Sequence, residues 1–232
     1  MRRFWQAVAV APAEGGFTVT LDGKPVRTPA RRALVLRSAA LADAIAGEWR
    51  AQDKTVDLKA MPLTRLSATA LDRVAVARAD SERQLLAFAG TDLVCYRAEE
   101  PAALVARQQE AWQGLLDWLD AAHGARLAVT AGVVPVAQPD AALAAIGRAL
   151  ARLDAFELTA LHIAAAAAGS LVIALALAAG AVDVETAIAA AELDEAFQAE
   201  EWGLDEEADA RRRAVADDLR LAARFLVLHR AG

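Results

Sequence analysis

The chain predicts an α+β fold in two parts: a small N-terminal α+β domain, a strand meander with helices, over residues 1–98, and a larger C-terminal all-α domain over residues 99–232. Three observations carry that prediction. Gly16–Leu21 alternates, with Phe17, Val19 and Leu21 on one face, and is followed by Asp22-Gly23, a pair that accepts positive φ in a tight hairpin. From Glu100 onward the apolar residues recur at helical spacing. The run Leu158–Val182 contains no Asp, Glu, Lys or Arg, which is the pattern of a helix buried on every side.

In chain order, Phe4–Val10 alternates weakly and reads as an early strand. Lys24–Thr28 returns from the hairpin turn, Pro29 breaks it, and Ala33–Leu36 is a further short strand. Ser38 is an N-cap for a helix to Gln52 whose apolar face is Leu41, Ala42, Ile45, Ala46 and Trp49. Pro62 opens a second helix through Leu66, Ala70, Leu71 and Val74. Ser81 caps a third, short one, and Thr91–Tyr96 reads as the last strand of this part. The boundary falls near Arg97–Pro101.

Pro101 starts a helix with two adjoining apolar stripes, Leu104/Ala111/Leu115/Trp118 and Val105/Trp112/Leu116/Leu119, and Gly124 ends it. Leu127–Val136 is short, β-branched and broken by Pro135, hence a loop or edge strand. Pro139–Leu153 is helical. Asp154 caps the uncharged central helix, which Gly180 ends, and Asp183 caps another that Gly203 closes. The last helix carries Asp205, Glu206, Glu207 and Asp209 early and Arg220, Arg224 and Arg230 late, as the helix dipole prefers.

The bulk properties exclude several function classes. The 232 residues suffice for one large or two small cores. A net charge of −6 argues against nucleic acid as a partner, because phosphate binding needs a basic field. The one cysteine, Cys95, rules out an intrachain disulfide and a cysteine-based metal cluster. The N-terminal apolar stretch is too short for a secretory signal. Leu158–Val182 is long enough to span a bilayer, but Ala, Gly and Ser supply much of it. No Trp or Tyr belt flanks it, and Asp183 and Glu185 follow where Lys or Arg is usual, so no stable membrane insertion is expected.

Phosphate-binding, dinucleotide-binding and nucleophile-elbow motifs are all missing from the sequence. His123, His162 and His229 are isolated from one another and from Cys95, so no zinc site is expected, and Cys95 sits in an apolar stretch as a structural residue. The basic stretch holding Lys24, Arg27, Arg31, Arg32 and Arg37 reads either as a solvated hairpin edge or as a contact for an acidic partner. The strongest functional claim belongs to Leu193–Gly203, L-D-E-A-F-Q-A-E-E-W-G. On a helix Asp194, Gln198, Glu201 and Trp202 share one side, and Glu195 lies near Gln198. Such a cluster can bind a partner, hold a divalent cation or do acid–base work, or it can be a solvated face closed by a glycine.

Several segments together carry a family resemblance. They are R-F-W at Arg3–Trp5, L-D-G-K-P-V-R-T-P at Leu21–Pro29, L-A-D-A-I-A-G-E-W-R-A-Q at Leu41–Gln52, M-P-L-T at Met61–Thr64, Q-x-x-x-W at Gln108–Trp112, and Leu193–Gly203. In this order and spacing the chain resembles the ATP12 family, assembly chaperones for the F1 part of ATP synthase. The resemblance implies a two-domain protein that binds the free F1 α subunit and prevents its aggregation before it meets β. Beside it stand the expectations of no enzyme activity, no cofactor, no metal and a monomer, and the composition with no transit-like leader suggests a cytoplasmic location in a bacterium, or the mitochondrial matrix in a eukaryote. The family's acidic helix motif is similar to Asp194, Glu195, Gln198 and Trp202. With Glu201 from the same side of the helix, these are the candidate partner-binding residues. Asp194 stands where the family pattern leads one to expect Glu, which keeps the charge and shortens the reach. Two other readings remain at this point, a small-molecule or metal-dependent enzyme using the acidic helix Asp194–Glu201, and a membrane-associated factor anchored by Leu158–Val182.

Overall fold

Asp22 takes φ 49° and Gly23 φ 78° in the computed structural model, which describes residues 2–132, 134–203 and 206–231. That turn joins β2 (Gly16–Leu21) to the two-residue β3 (Lys24–Pro25). On its other side β2 pairs antiparallel with β1 (Val8–Ala13), in register from Val8↔Leu21 to Ala13↔Gly16. The Asp22 carboxylate also accepts from the amides of Gln6 and Ala7 at 3.0 and 2.8 Å, which pins the incoming chain and holds the carboxyl below its ordinary range. The strand expected over Ala33–Leu36 is reduced to single bridges, Arg27↔Ala33 and Phe17↔Leu36. The loop between them is drawn elsewhere by Asp72, whose carboxylate accepts from the Thr28 hydroxyl and the Ala30 amide.

Ser38 caps α1 (Ala39–Arg50) by accepting from the Ala40 and Leu41 amides, and the expected face Leu41, Ala42, Ile45, Ala46 and Trp49 is buried against β1 and β2. Glu48 reaches from the other side of α1 to the start of α2 (Pro62–Thr69). Its two oxygens accept from Leu63 N at 2.7 Å, Thr64 N at 2.8 Å and Thr64 Oγ1 at 2.6 Å, so a carboxylate borrowed from another helix satisfies the free amides of α2. Beyond Thr69 the helix widens into a π turn, Ala70–Val74.

The chain groups into two compact units. The first contains Met1–Arg78, Ala155–Ala160 and Arg224–Gly232, and the second Ala79–Asp154 and Leu161–Ala223. Within the first, Phe156 stacks on the His229 ring at 4.8 Å and on Phe225 at 6.0 Å, and Arg230 pairs with Glu157 at 2.7 Å.

Further along the chain α3 (Arg78–Gly90) begins before Ser81, which therefore lies inside the helix. The strand expected at Thr91–Tyr96 is mostly a 3-10 turn, Leu93–Cys95, because Asp92 turns its carboxylate onto Val94 N. Only β4 (Tyr96–Arg97) is extended, pairing parallel with β5 (Thr130–Ala131). Then follow α4 (Ala102–His123), ended by Gly124 at φ 66°, and α5 (Asp140–Leu150). The long uncharged run is two helices, α6 (Ala155–Ala168) and α7 (Leu171–Ala178). Gly169 enters the left-handed region at φ 63° and Ser170 caps α7 by accepting from Ile173 N, so the expected single helix is corrected here. No helix among the described residues is long and apolar enough to cross a membrane. The helix expected from Asp183 to Gly203 also divides, into α8 (Val184–Ala191) and α9 (Leu193–Trp202), and α10 (Glu206–Arg230) follows.

The break before α7 is buried. Asp92 is fully enclosed, with Val172 N donating to it at 3.0 Å, Val94 N at 3.3 Å and the Ser170 hydroxyl as a further donor, while Leu93 N donates to Gly169 O at 3.1 Å. Burial pushes the Asp92 carboxyl up to about 6 from 3.8, against the opposing pull of those hydrogen bonds. The folded chain therefore binds this proton more tightly than the unfolded chain. The stability contributed by this group is full below the unfolded value and falls as pH rises towards the folded one. Expected outcome: between about pH 4 and pH 7, urea unfolding of Asp92→Asn gains on the wild type by on the order of 2–3 kcal/mol. A gap that stays constant with pH refutes the assignment.

Candidate functional site

α9 is held to α4 by one buried and two polar attachments. Phe197 is the buried residue of α9, and the Arg107 guanidinium of α4 lies 5.2 Å from its ring centre. Arg107 also pairs with Glu200 at 2.7 Å, an exposed bridge worth under about 1 kcal/mol. The third attachment is Asp194, which accepts from Gln108 Nε2 at 2.8 Å.

Gln108 is the centre of a small buried network. Its Oε1 accepts from Ala98 N at 2.7 Å, and its backbone carbonyl accepts from the Arg97 guanidinium. Arg97 is buried over the Trp112 ring, 5.1 Å from its centre, and the Trp112 indole donates to Ala190 O at 2.8 Å, at the break between α8 and α9. Nε and Nη2 of Arg97 are buried with no hydrogen-bond partner among the described residues. Burial lowers the pKa of Arg97, while the nearby Asp194 charge opposes that shift. Asp194 is not in ion-pair contact with Arg97, and its negative charge favours the buried cation from a distance. Arg97 was not singled out by its sequence context. Its one signal is a guanidinium directly after the apolar V-C-Y stretch at Val94–Tyr96.

The candidate residues therefore divide. Asp194 is half-buried and occupied by Gln108. Glu195, Gln198 and Glu201 are exposed, and the Trp202 indole is 80% exposed at the end of the helix, where Gly203 at φ 86° stops it. Behind α9 a groove of about 570 Å³ runs between α8, α9 and α10. Its charges are paired across it, Glu192 with Arg212 at 3.1 Å and Glu185 with Arg220 at 3.0 Å. Burial, then the Glu195 charge, raises the Glu192 pKa against the pull of Arg212.

Among the described residues no three His, Cys, Asp or Glu side chains converge to hold a metal ion. Burial pushes the Cys95 thiol up to about 12, so it stays protonated and is a poor nucleophile. His123 meets the edge of Trp118, and His162 Nε2 faces the Ser81 carbonyl at 3.1 Å, with burial lowering the pKa of both.

A family model described as ATP12 chaperone protein matches residues 2–120. The mitochondrial protein atp12 of Schizosaccharomyces pombe is 26% identical over 219 residues, 89% of this chain and 75% of that protein. The crystal structure of Atp12 from Paracoccus denitrificans superposes with a TM-score of 0.94 at 44% identity, covering 99% of this chain and 98% of that one. A protein of Agrobacterium tumefaciens, described as a candidate chaperone, superposes with a TM-score of 0.92 at 44% identity over 98% of this chain and 85% of that one.

The division of α9 into a held residue and exposed ones has a measurable consequence. Asp194→Ala is expected to lower stability by about 1–2 kcal/mol, because it orphans the part-buried Gln108 amide. Glu195→Ala, Gln198→Ala and Glu201→Ala are expected to stay within about 0.5 kcal/mol of the wild type. Urea denaturation of the four variants checks this, and equal losses at all four positions would contradict it.

Proposed function

We propose, for a chain that belongs to the ATP12 chaperone family, that it binds the free α subunit of F1-ATP synthase and shields that subunit's assembly surface until the β subunit takes its place. The observation that carries this reading is the outer face of α9. An indole 80% open to water stands beside three exposed polar side chains, on a helix whose inner side is fixed by Phe197, Arg107 and Gln108. Exposed tryptophans are costly to leave in water and are typical anchors when a partner covers them. Carboxylates around the anchor select and steer the partner more than they add affinity. An unassembled subunit exposes an interface that self-associates, and a holder must cover it and still let go. Competition by the true partner is enough for release, so no nucleotide site and no bond-making step is needed. On this reading the protein is a monomeric binding protein, not an enzyme, of the bacterial cytoplasm or the mitochondrial matrix. The S. pombe relative is named as mitochondrial.

The test is co-expression with the F1 α subunit followed by size-exclusion chromatography. A soluble complex is expected. Combining Glu195→Lys, Glu201→Lys and Trp202→Ala is expected to weaken it at least about tenfold, equivalent to about 1.4 kcal/mol, with an unchanged melting temperature. A wild-type chain that leaves the α subunit insoluble, or a triple variant that binds as well as the wild type, would overturn the reading.

A further inference from the structure

The first unit contains a cleft of about 700 Å³ that none of the α9 residues reaches. Its floor is apolar, with the buried side chains of Val26, Leu34 and Trp49, and Leu58 stands at its edge 58% exposed. Its rim is cationic. Arg27 comes from the segment after β3, Arg65 from α2 and Arg73 from the π turn, and all three are exposed. Among the described residues no carboxylate pairs with any of the three. The single acidic residue lining the cleft, Asp72, is already occupied. It takes the Thr28 hydroxyl at 2.7 Å, the Ala30 amide at 2.9 Å and the Arg32 guanidinium at 3.6 Å. A chain with a net charge of −6 thus carries a local surplus of positive charge around an apolar floor.

Two unusual backbone features stand at one end of the cleft lining, next to Thr28 and Asp72. Arg31 sits in the left-handed region at φ 63°, a conformation costly for a residue with a side chain, and the bond from its amide to Thr28 O at 2.8 Å holds the turn. In contact with it, the π turn Ala70–Val74 sets Asp72 and Arg73 on the cleft, and π turns interrupting helices recur at functional sites. Such features persist when neighbouring contacts over-determine them, and Asp72 does so here by clamping the Thr28–Arg32 turn onto the π turn.

We propose that this cleft is a docking groove for an extended, acidic and apolar segment of a client polypeptide. Carboxylates of such a segment pair with Arg65 and Arg73, whose planar guanidinium groups accept a carboxylate in two-point fashion. An apolar side chain between them buries against Val26 and Leu34. The size suits a few side chains rather than a whole helix. The basic stretch of the sequence is divided by this arrangement, Arg27 on the rim and Arg32 on Asp72, while Lys24 and Arg37 line no part of the cleft. The proposal rests on the chaperone reading only in taking the occupant to be polypeptide.

The experiment uses the full chain and a short fluorescein-labelled peptide alternating Glu and Leu, read by anisotropy, with Lys–Leu and Glu–Ser peptides as controls. The Glu–Leu peptide alone is expected to bind. The double variant Arg65→Glu with Arg73→Glu, both exposed positions, is expected to bind it at least tenfold more weakly while melting as the wild type does. Trp202→Ala is expected to bind it normally. Equal binding by the double variant, or binding of all three peptides alike, overturns the groove. So does a concentration-dependent dimer abolished by the double variant, which would make a second copy of the chain the occupant. The same double variant is then co-expressed with the F1 α subunit. A complex kept by it and lost in the α9 variant refutes the groove and leaves the chaperone reading standing. Peptide binding at the cleft by a wild type that makes no complex with the α subunit supports the groove and refutes that partner.

Discussion

The second unit depends on solving one problem, how to begin a helix where no water can reach it. Every residue of α7 is buried. The first amides of such a helix would be left without acceptors, each at a cost of about 1–3 kcal/mol. Ser170 and Asp92 supply those acceptors from inside the protein. The same Asp92 carboxylate caps the tight turn that follows it through Val94 N, which is why the segment Leu93–Cys95 is not a strand. α4 and α8 pack on α7, and α9 packs on α4 and α8. The position of α9 is thus inherited from this buried start.

A common device recurs in both units, a side chain from one segment satisfying the backbone of another. Glu48 caps α2, Asp22 holds the amides of Gln6 and Ala7, and Arg3 donates to Gln52 O at 2.7 Å while Gln52 Oε1 accepts from Asp57 N at 2.7 Å. Gln108 does the same for Ala98. Several of these residues lie in the short segments that carry the family resemblance. Glu48 lies in the Leu41–Gln52 segment and its partners Leu63 and Thr64 in the M-P-L-T segment, so two separate words of sequence are the halves of one interaction. Gln108 and Asp194 join two others.

Elements with local determinants were legible. A serine before an amphipathic stretch gave α1, an Asp-Gly pair gave the hairpin, a proline opened α2, and a glycine closed α4, because each signal acts within a few residues of the structure it sets. The failures share the opposite property. The uncharged run holds a local break signal in Gly169 and the capping Ser170, but its unbroken apolar composition masks it, and the partner that completes the cap, Asp92, is far away in sequence. Thr91–Tyr96 has strand composition, but the same Asp92 redirects it. Asp183–Gly203 reads as one helix until Trp112 and Arg212 claim Ala190 and Glu192 at its middle. In the acidic motif, helical spacing placed Asp194 with the exposed residues, while Gln108 and Arg97, both distant in sequence, draw it inward.

Trp202 has a further consequence. Of the five tryptophans, Trp5, Trp49 and Trp112 are buried and Trp118 is half-buried, so a single indole lies open to solvent. A neutral collisional quencher such as acrylamide will reach that fluorophore first. The red-shifted, quenchable part of the protein's intrinsic emission is therefore a built-in optical label on α9, available without dye or mutation.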